Sequence, residues 1–282
     1  MSTLFLVATP IGNLEDITLR ALRVLREVPL IAAEDTRRTR QLLNHYEIVT
    51  RLVSYHEHNQ RRATARLLRA LSEGDVALVS DAGTPLINDP GAALVQAALK
   101  AGHRVVPIPG PSAPLAALIA SGLPTEAFLY LGYLPRKPAE RRALLQQVAA
   151  LPYTLIFLET PHRLQAALDD LAAVLGNGRP LAVARELTKA HEDVLRGTVN
   201  DARAHFAARP PRGEFVLVIG GAAPTALQKW PATELDAAIA AGLVAGESPS
   251  ALARRLAAAS GWKRGEVYKH LLAVKNSAEK QQ

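Results

Sequence analysis

The sequence predicts an α/β protein: two successive α/β domains, the first on a mainly parallel sheet and the second on a mixed sheet, followed by a small helical C-terminal domain. Three observations predict it. Short apolar runs rich in Leu, Val and Ile alternate with helix-like stretches, the pattern of strands buried in an α/β sheet. In the second half, some neighbouring runs are joined too closely for a helical crossover, so part of that sheet must be antiparallel. After Gly220-Gly221 the composition shifts to a Pro- and Ala-containing linker and the strand-like runs stop.

Taken in order, the first domain (1–122) carries strand-like runs at 4–8, 30–33, 51–55, 76–80 and 105–108, separated by helices that are mostly Arg-, Leu- and Ala-rich. Gly122 and Pro124 mark its boundary. The second domain (123–221) has strands at 128–132, 154–159, 181–185, 193–198 and 214–219, with helices at 138–150 and 161–175. The remainder (222–282) reads as a linker and two or three short amphipathic helices from Ala232 onward. Ser248-Pro-Ser250 offers an N-cap with proline beside it, 251–259 forms one helix, Gly261 breaks it and 265–274 forms another, a spacing like that of a helix-turn-helix unit.

A chain of 282 residues with 49% apolar content can bury one or two ordinary cores. It has no cysteine, which excludes disulfides, thiolate zinc sites and cysteine nucleophiles and fits a reducing, cytoplasmic setting. Met1 to Thr9 shows no basic flank and no cleavage site, and no segment approaches the roughly 20 continuous apolar residues of a membrane span, so no membrane association is expected. The net charge of +7 and the pI near 9.9 favour an anionic partner, with nucleic acid the first candidate. Arg37, Arg38, Arg40, Arg61, Arg62 and Arg66 crowd the first domain, and Arg136, Lys137, Arg141 and Arg142 follow the interdomain segment. All are candidates for tracking an RNA backbone or for a solvated helix surface. From residue 225 onward eight Lys/Arg face five Asp/Glu, and Arg254, Arg255, Lys263, Arg264 and Lys269 read either as RNA contacts or as the surface of a packing cap.

Four Gly/Pro loops follow strand-like runs: Thr9-Pro-Ile-Gly-Asn13, Ser80-Asp-Ala-Gly-Thr-Pro85 with Asp89-Pro-Gly91, Pro107-Ile-Pro-Gly-Pro-Ser-Ala113, and Glu159-Thr-Pro-His-Arg163. Open α/β sheets present their ligand crevice at that end of the strands, and glycine there lets backbone approach a ligand closely. No G-x-G-x-x-G follows the first strand and no G-x-x-x-x-G-K-[ST] occurs, so the ligand is one held by backbone and small side chains, not a cradled phosphate. Ser112 and Thr160, each before a helix, also suit N-caps. His56-Glu-His58 places two imidazoles at alternate positions, but a closed metal site needs further ligands and no partner motif is present, so no metal is expected.

The loop Ser80–Pro85 resembles that of the tetrapyrrole-methylase superfamily, whose corresponding loop accepts S-adenosylmethionine. The fuller pattern is more specific. Ala8-Thr-Pro-Ile-Gly-Asn-Leu-Glu-Asp16, Ala33-Glu-Asp-Thr-Arg37, Tyr55-His-Glu-His-Asn59, Gly132 to Arg136, Glu159 to Arg163, Arg185-Glu-Leu-Thr-Lys189 and Arg212 to Gly221, together with the loops above, resemble the bacterial 16S ribosomal RNA cytidine-2′-O-methyltransferases from Thr3 to about Gly221. The resemblance implies a homodimer of two α/β domains with S-adenosylmethionine in the cleft between them, and a 2′-O-methylated cytidine of 16S rRNA as product. Carried over by motif position, it implies cofactor contacts at Thr9, Pro10, Gly83, Thr84, Ile87, Ser112, Ala113, Leu158, Ala184 and Glu214.

Methyl transfer from a sulfonium is an in-line displacement that rewards alignment and water exclusion. A base for the 2′-hydroxyl proton would come from the acidic groups beside the loops: Asp81 first, then Glu186, Asp35 and Glu34. Arg37, Arg136 and Lys189 are candidate RNA contacts. Two other readings are compatible with the fold: a superfamily methylase acting on a corrinoid or a protein side chain, against which the RNA-type motifs argue, and a non-catalytic RNA-binding assembly factor.

Overall fold

The computed structural model describes residues 2–223 and 229–279. Met1–Ala222 forms one compact unit that contains both sheets, and Ala223–Gln282 forms a second.

The first sheet is wholly parallel. Its strands are β1 (Thr3–Val7), β2 (Leu30–Ala33), β3 (Arg51–Ser54), β4 (Val76–Val79) and β5 (Arg104–Ile108), in the order β3-β2-β4-β1-β5. Alternation along the strands sends side chains to both faces. Val7, Ile31, Ala33, Ala77, Val79 and Ile108 pack with α1 (Leu19–Glu27) and α2 (Thr36–His45). Leu4, Leu30, Ala32, Val76 and Leu78 pack with α3 (Gln60–Glu73) and α4 (Ala92–Lys100). Coverage of both faces is why these strands read as continuous apolar runs. The expected strands at 4–8, 51–55 and 76–80 each end one residue early, so that Ala8, Tyr55 and Ser80 open the loops.

Helix α5 (Ala113–Ser121) leaves the end of β5 and closes with Gly122 in the left-handed region. It packs not on the first sheet but on the second, where Ala117 and Leu118 meet Ile156, Ala182, Ala184, Val216 and Val218. This helix joins the two halves of the unit.

The second sheet is mixed, as its short connections require. Its strands are β6 (Phe128–Tyr133), β7 (Thr154–Glu159), β8 (Pro180–Arg185), β9 (Asp193–Thr198) and β10 (Phe215–Ile219), in the order β6-β7-β10-β8-β9. Only β6 and β7 run parallel; β7, β10, β8 and β9 pair antiparallel. The face away from α5 is covered by α6 (Pro138–Val148), α7 (Pro161–Leu175) and α8 (Val199–Ala208). Helix α8 is absent from the sequence-based expectation. Its start is a capping box in which Thr198 and Asp201 satisfy each other's backbone amides.

One basic residue of this region is buried. Arg141, a candidate RNA contact from sequence, is 3% exposed beneath α6. Its Nε donates to Asp170 Oδ2 on α7 at 2.7 Å, and Arg142 Nε lies 2.9 Å from the other oxygen. The cost of burying a guanidinium is met by this carboxylate, so Arg141 holds two helices together and is not available to a phosphate.

The second unit is a three-helix cluster of α9 (Ala232–Val244), α10 (Pro249–Ser260) and α11 (Arg264–Glu279) around Leu235, Ile239, Leu252, Leu256, Val267 and Leu271. Ser248 caps α10 as its sequence suggests. Residues 224–228 of the expected linker lie outside the described residues. Among the basic side chains of this unit, Arg255 is held by Glu247 at 2.6 Å, Arg264 by Ser250 at 3.1 Å, and Lys229 sits 3.6 Å above the Trp262 ring.

Candidate active site

Three of the four loops read from sequence leave β4, β1 and β5, which are adjacent in the first sheet, so they meet at one edge. They are locked to one another. The Thr9 and Gly83 backbones exchange two hydrogen bonds of 2.9 Å, the Thr9 hydroxyl donates to the Ser80 carbonyl at 3.3 Å, and the Thr84 hydroxyl donates to the Pro111 carbonyl at 3.2 Å. Gly83 takes φ +77°, a conformation that a side chain would strain.

These loops and the second sheet enclose a cavity of about 290 Å³, near the lower end of ordinary small-molecule sites. The wall from the first half includes Gly83, Thr84, Ile87, Ser112 and Ala113; from the second sheet come Leu158, Ala184, Leu187, Glu214 and Val216. The start of α5 faces the cavity. Ser112 is its N-cap, yet the hydroxyl makes no capping hydrogen bond and is left for another partner. Thr9, Pro10 and Lys189 line an adjoining depression that shares Ile11, Arg38, Asp81, Ala82 and Glu214 with the cavity.

The cavity is acidic in a basic protein. Glu34, Asp81, Asp89, Glu159 and Glu214 line it, against Arg38 alone among its described basic residues. Each carboxylate has a different environment. The Asp81 carboxylate accepts the Asp35 amide at 2.8 Å and lies 3.5 Å from Arg38. Glu159 Oε1 takes the Thr160 amide and Arg163 Nε, both at 2.7 Å, while Oε2 is buried without a hydrogen-bond partner. Burial, then the neighbouring Asp81, raises Glu34 above the usual carboxylate range. Asp89 is pushed up to about 6 by burial and by Glu34, although the Ser80 hydroxyl opposes the shift.

The other acidic candidates stand outside the cavity. Asp35 caps α2 and binds the Arg37 side chain at 2.7 Å, a bond that with the Arg37 amide lowers it to about 2. The Glu186 carboxylate accepts the Glu214 amide at 2.9 Å and lies 3.0 Å from Lys189, and the amide is the main reason its pKa is lowered. Lys189 Nζ bridges Glu186 and Glu214 at 3.0 Å each. Burial works against its charge, but the two carboxylates outweigh burial and raise it. Arg37 and Arg136 are exposed on the surface. His56 and His58 lie in a turn beyond β3, with ring centroids 5.9 Å apart.

Sequence reading missed Asn88, Tyr130 and Tyr133 as lining residues and gave Asp89 only as part of a loop. In a regular strand Tyr130 and Tyr133 would face opposite sides. A bulge at Gly132, φ +67°, inserts one extra residue, so Tyr130 pairs with Ile156 and Tyr133 with Leu158, and both rings reach the cavity. The Tyr130 hydroxyl donates to Asn88 across the cleft, and a Cβ on Gly132 would come within 2.5 Å of the Asn88 amide. The Asp89-Pro-Gly91 run carried the only sequence signal for this segment.

Residues 3–203 match the family model of the tetrapyrrole (corrin/porphyrin) methylases. The chain is 55% identical over 221 residues to the ribosomal RNA small subunit methyltransferase I of Halalkalibacterium halodurans, covering 78% of this chain and 76% of that protein. It is 48% identical to the proteins of the same name from Synechocystis, covering 95% and 96%, and from Escherichia coli O157:H7, covering 95% and 94%. Among solved structures, uroporphyrin-III-C-methyltransferase from Thermus thermophilus superposes with a TM-score of 0.56 at 26% identity, over 78% of this chain and 94% of that one. Diphthine synthase shares the fold with a TM-score of 0.60 at 16% identity, over 78% and 90%.

Proposed function

Because the chain belongs to the tetrapyrrole (corrin/porphyrin) methylase family, we propose that it transfers the methyl group of S-adenosylmethionine to the 2′-hydroxyl of a cytidine ribose in 16S rRNA. Its near-full-length similarity to enzymes named for methylating small-subunit ribosomal RNA supports the substrate class. The observation that carries the cofactor is the acidic cavity: five carboxylates and one arginine suit a cationic donor and repel a phosphate-bearing one.

The residues fit such a ligand. Gly83 and Thr84 offer close backbone, Ser112 a hydroxyl free of capping duty, and Leu158, Ala184 and Val216 an apolar wall for a purine ring. Thr9 and Pro10 set the loop that holds Gly83 in place. Glu214, Asp81 and the other carboxylates favour the positive charges of the methionyl end. When bound, the donor supplies an electrophilic methyl on sulfur. The protein's contribution is to hold the ribose oxygen in line with that methyl, exclude water and receive a proton.

The same charges sort the RNA. A ribose can approach the acidic cavity closely, while its flanking phosphates are held outside by the exposed Arg37 and Arg136. The enzyme works in the cytoplasm as a homodimer. Among the described residues no helix is long and apolar enough to cross a membrane.

The reaction is tested by incubating the protein with small-subunit RNA and S-adenosylmethionine carrying an isotopic methyl, then digesting to nucleosides. The label is expected on the ribose of cytidine. Label on a base, or none on RNA, contradicts the assignment. Light scattering of the purified protein at twice the chain mass of 30.2 kDa checks the dimer.

A further inference from the structure

We propose that Asp89 takes the proton from the ribose 2′-hydroxyl as the methyl is transferred. The assignment rests on the ribose-methylation function above and names a loop residue that was not among the candidate bases read from sequence.

The backbone around Asp89 is the first reason. Leu86 and Asn88 both adopt left-handed conformations, φ 72° and 66°, without being glycine. Asn adopts this region more readily than other side chains, but Leu rarely does, and Leu86 persists there only because its surroundings hold it. Here the holding is visible: the Asn88 side chain is fixed by the Tyr130 hydroxyl from the opposite sheet, and Pro90 stiffens the following step. Between these two fixed points Asp89 lines the same cavity as Gly83, Thr84 and Ser112.

The second reason is elimination among carboxylates. Asp35 is a helix cap bound to Arg37 outside the cavity, and Glu186 is taken up by Lys189 and the Glu214 amide. Within the cavity Glu159 is tied to Arg163, Glu214 to Lys189, and Asp81 to the Asp35 amide. Glu34 receives the Asp81 amide at 3.5 Å. The groups facing Asp89 are Glu34 from the end of β2, Asp81 and Ser80 from the loop after β4, and Tyr130 and Tyr133 from β6, with Arg38 of α2 on the same wall. Burial and the two carboxylates give Asp89 a basicity above that of an exposed aspartate, which suits it to accept a proton near neutral pH.

The step balances with the named reactants. The ribose oxygen forms its bond to the methyl carbon, the carbon–sulfur bond breaks with its electron pair left on sulfur as a neutral thioether, and the hydroxyl proton passes to the Asp89 carboxylate and then to water.

The test compares wild type, Asp89→Asn and Glu34→Gln for kcat of methyl transfer to small-subunit RNA between pH 5 and 8, with donor affinity read by calorimetry. Wild type should gain rate with pH through an inflection near 6. Asp89→Asn removes one of five cavity charges, so donor affinity should fall no more than a few-fold, while kcat at saturating S-adenosylmethionine should drop about 100-fold or more and the inflection should be lost. Glu34→Gln keeps Asp89 and removes a neighbouring charge, so its inflection should move to lower pH, a result that stands even if Asp89→Asn folds poorly. Wild-type kcat and profile in Asp89→Asn would overturn the assignment, as would a loss of donor affinity that accounts for the lost rate, since Asp89 would then be a cofactor anchor. A wild-type protein that methylates no ribose contradicts the function itself, and with it the role given to Asp89.

Discussion

Gly83 is where backbone conformation and ligand approach coincide. Its φ of +77° and its two hydrogen bonds to Thr9 put bare backbone on the cavity wall. Gly83→Leu should therefore strain the loop by about 1 kcal/mol and lower S-adenosylmethionine affinity at least tenfold, as read by calorimetry with a melting curve as control. Undiminished affinity would move the cofactor elsewhere. Asp89 also makes a stability prediction with a definite sign. Its folded value, near 6, is above that of an unfolded aspartate, so its contribution is fully present below about pH 4 and is lost as pH rises through 6. Asp89→Asn should be more stable than wild type at pH 7 by on the order of 1 kcal/mol, allowing for partial screening by water, with the gain vanishing near pH 4. Urea unfolding at the two pH values measures it.

Among the elements, the Arg141–Asp170 pair binds α6 to α7 in a setting where neither group meets much water. Asp170→Ala leaves a buried guanidinium without its partner and should cost about 3–5 kcal/mol in a denaturant titration. An exposed pair would cost far less. Most strands were legible because they are apolar runs bounded by turn residues, and the short spacing of β8 and β9 gave away the antiparallel half. Helix α8 was overlooked although Thr198 and Asp201 carry a capping signature. The bulge in β6 was missed although a glycine inside the strand-like run Phe128-Leu-Tyr-Leu-Gly-Tyr133 signals one, and without it period-two alternation assigns Tyr133 to the wrong face. The burial of Arg141 was hidden, because its partner lies 29 residues away on another helix.

For the whole molecule, the contrast between a basic exterior and an acidic cavity could not be read from a net charge of +7. Carboxylates from β2, the loop after β4, β7 and the start of β10 converge only once both sheets are folded. The loops that line the cavity were legible, and so was their family pattern; the sorting of their charges was not. On the proposed reading, in which surface arginines hold the phosphates, RNA affinity should fall with salt. Each phosphate contact corresponds to a loss of about threefold between 50 and 200 mM, measured by filter binding, whereas binding of S-adenosylmethionine in the cavity should change little. The most direct measurement is mass mapping of ribose methylation on small-subunit RNA from cells with and without this protein. One cytidine should carry a 2′-O-methyl group when the protein is present and lack it when the protein is absent. An unchanged methylation map would contradict the account.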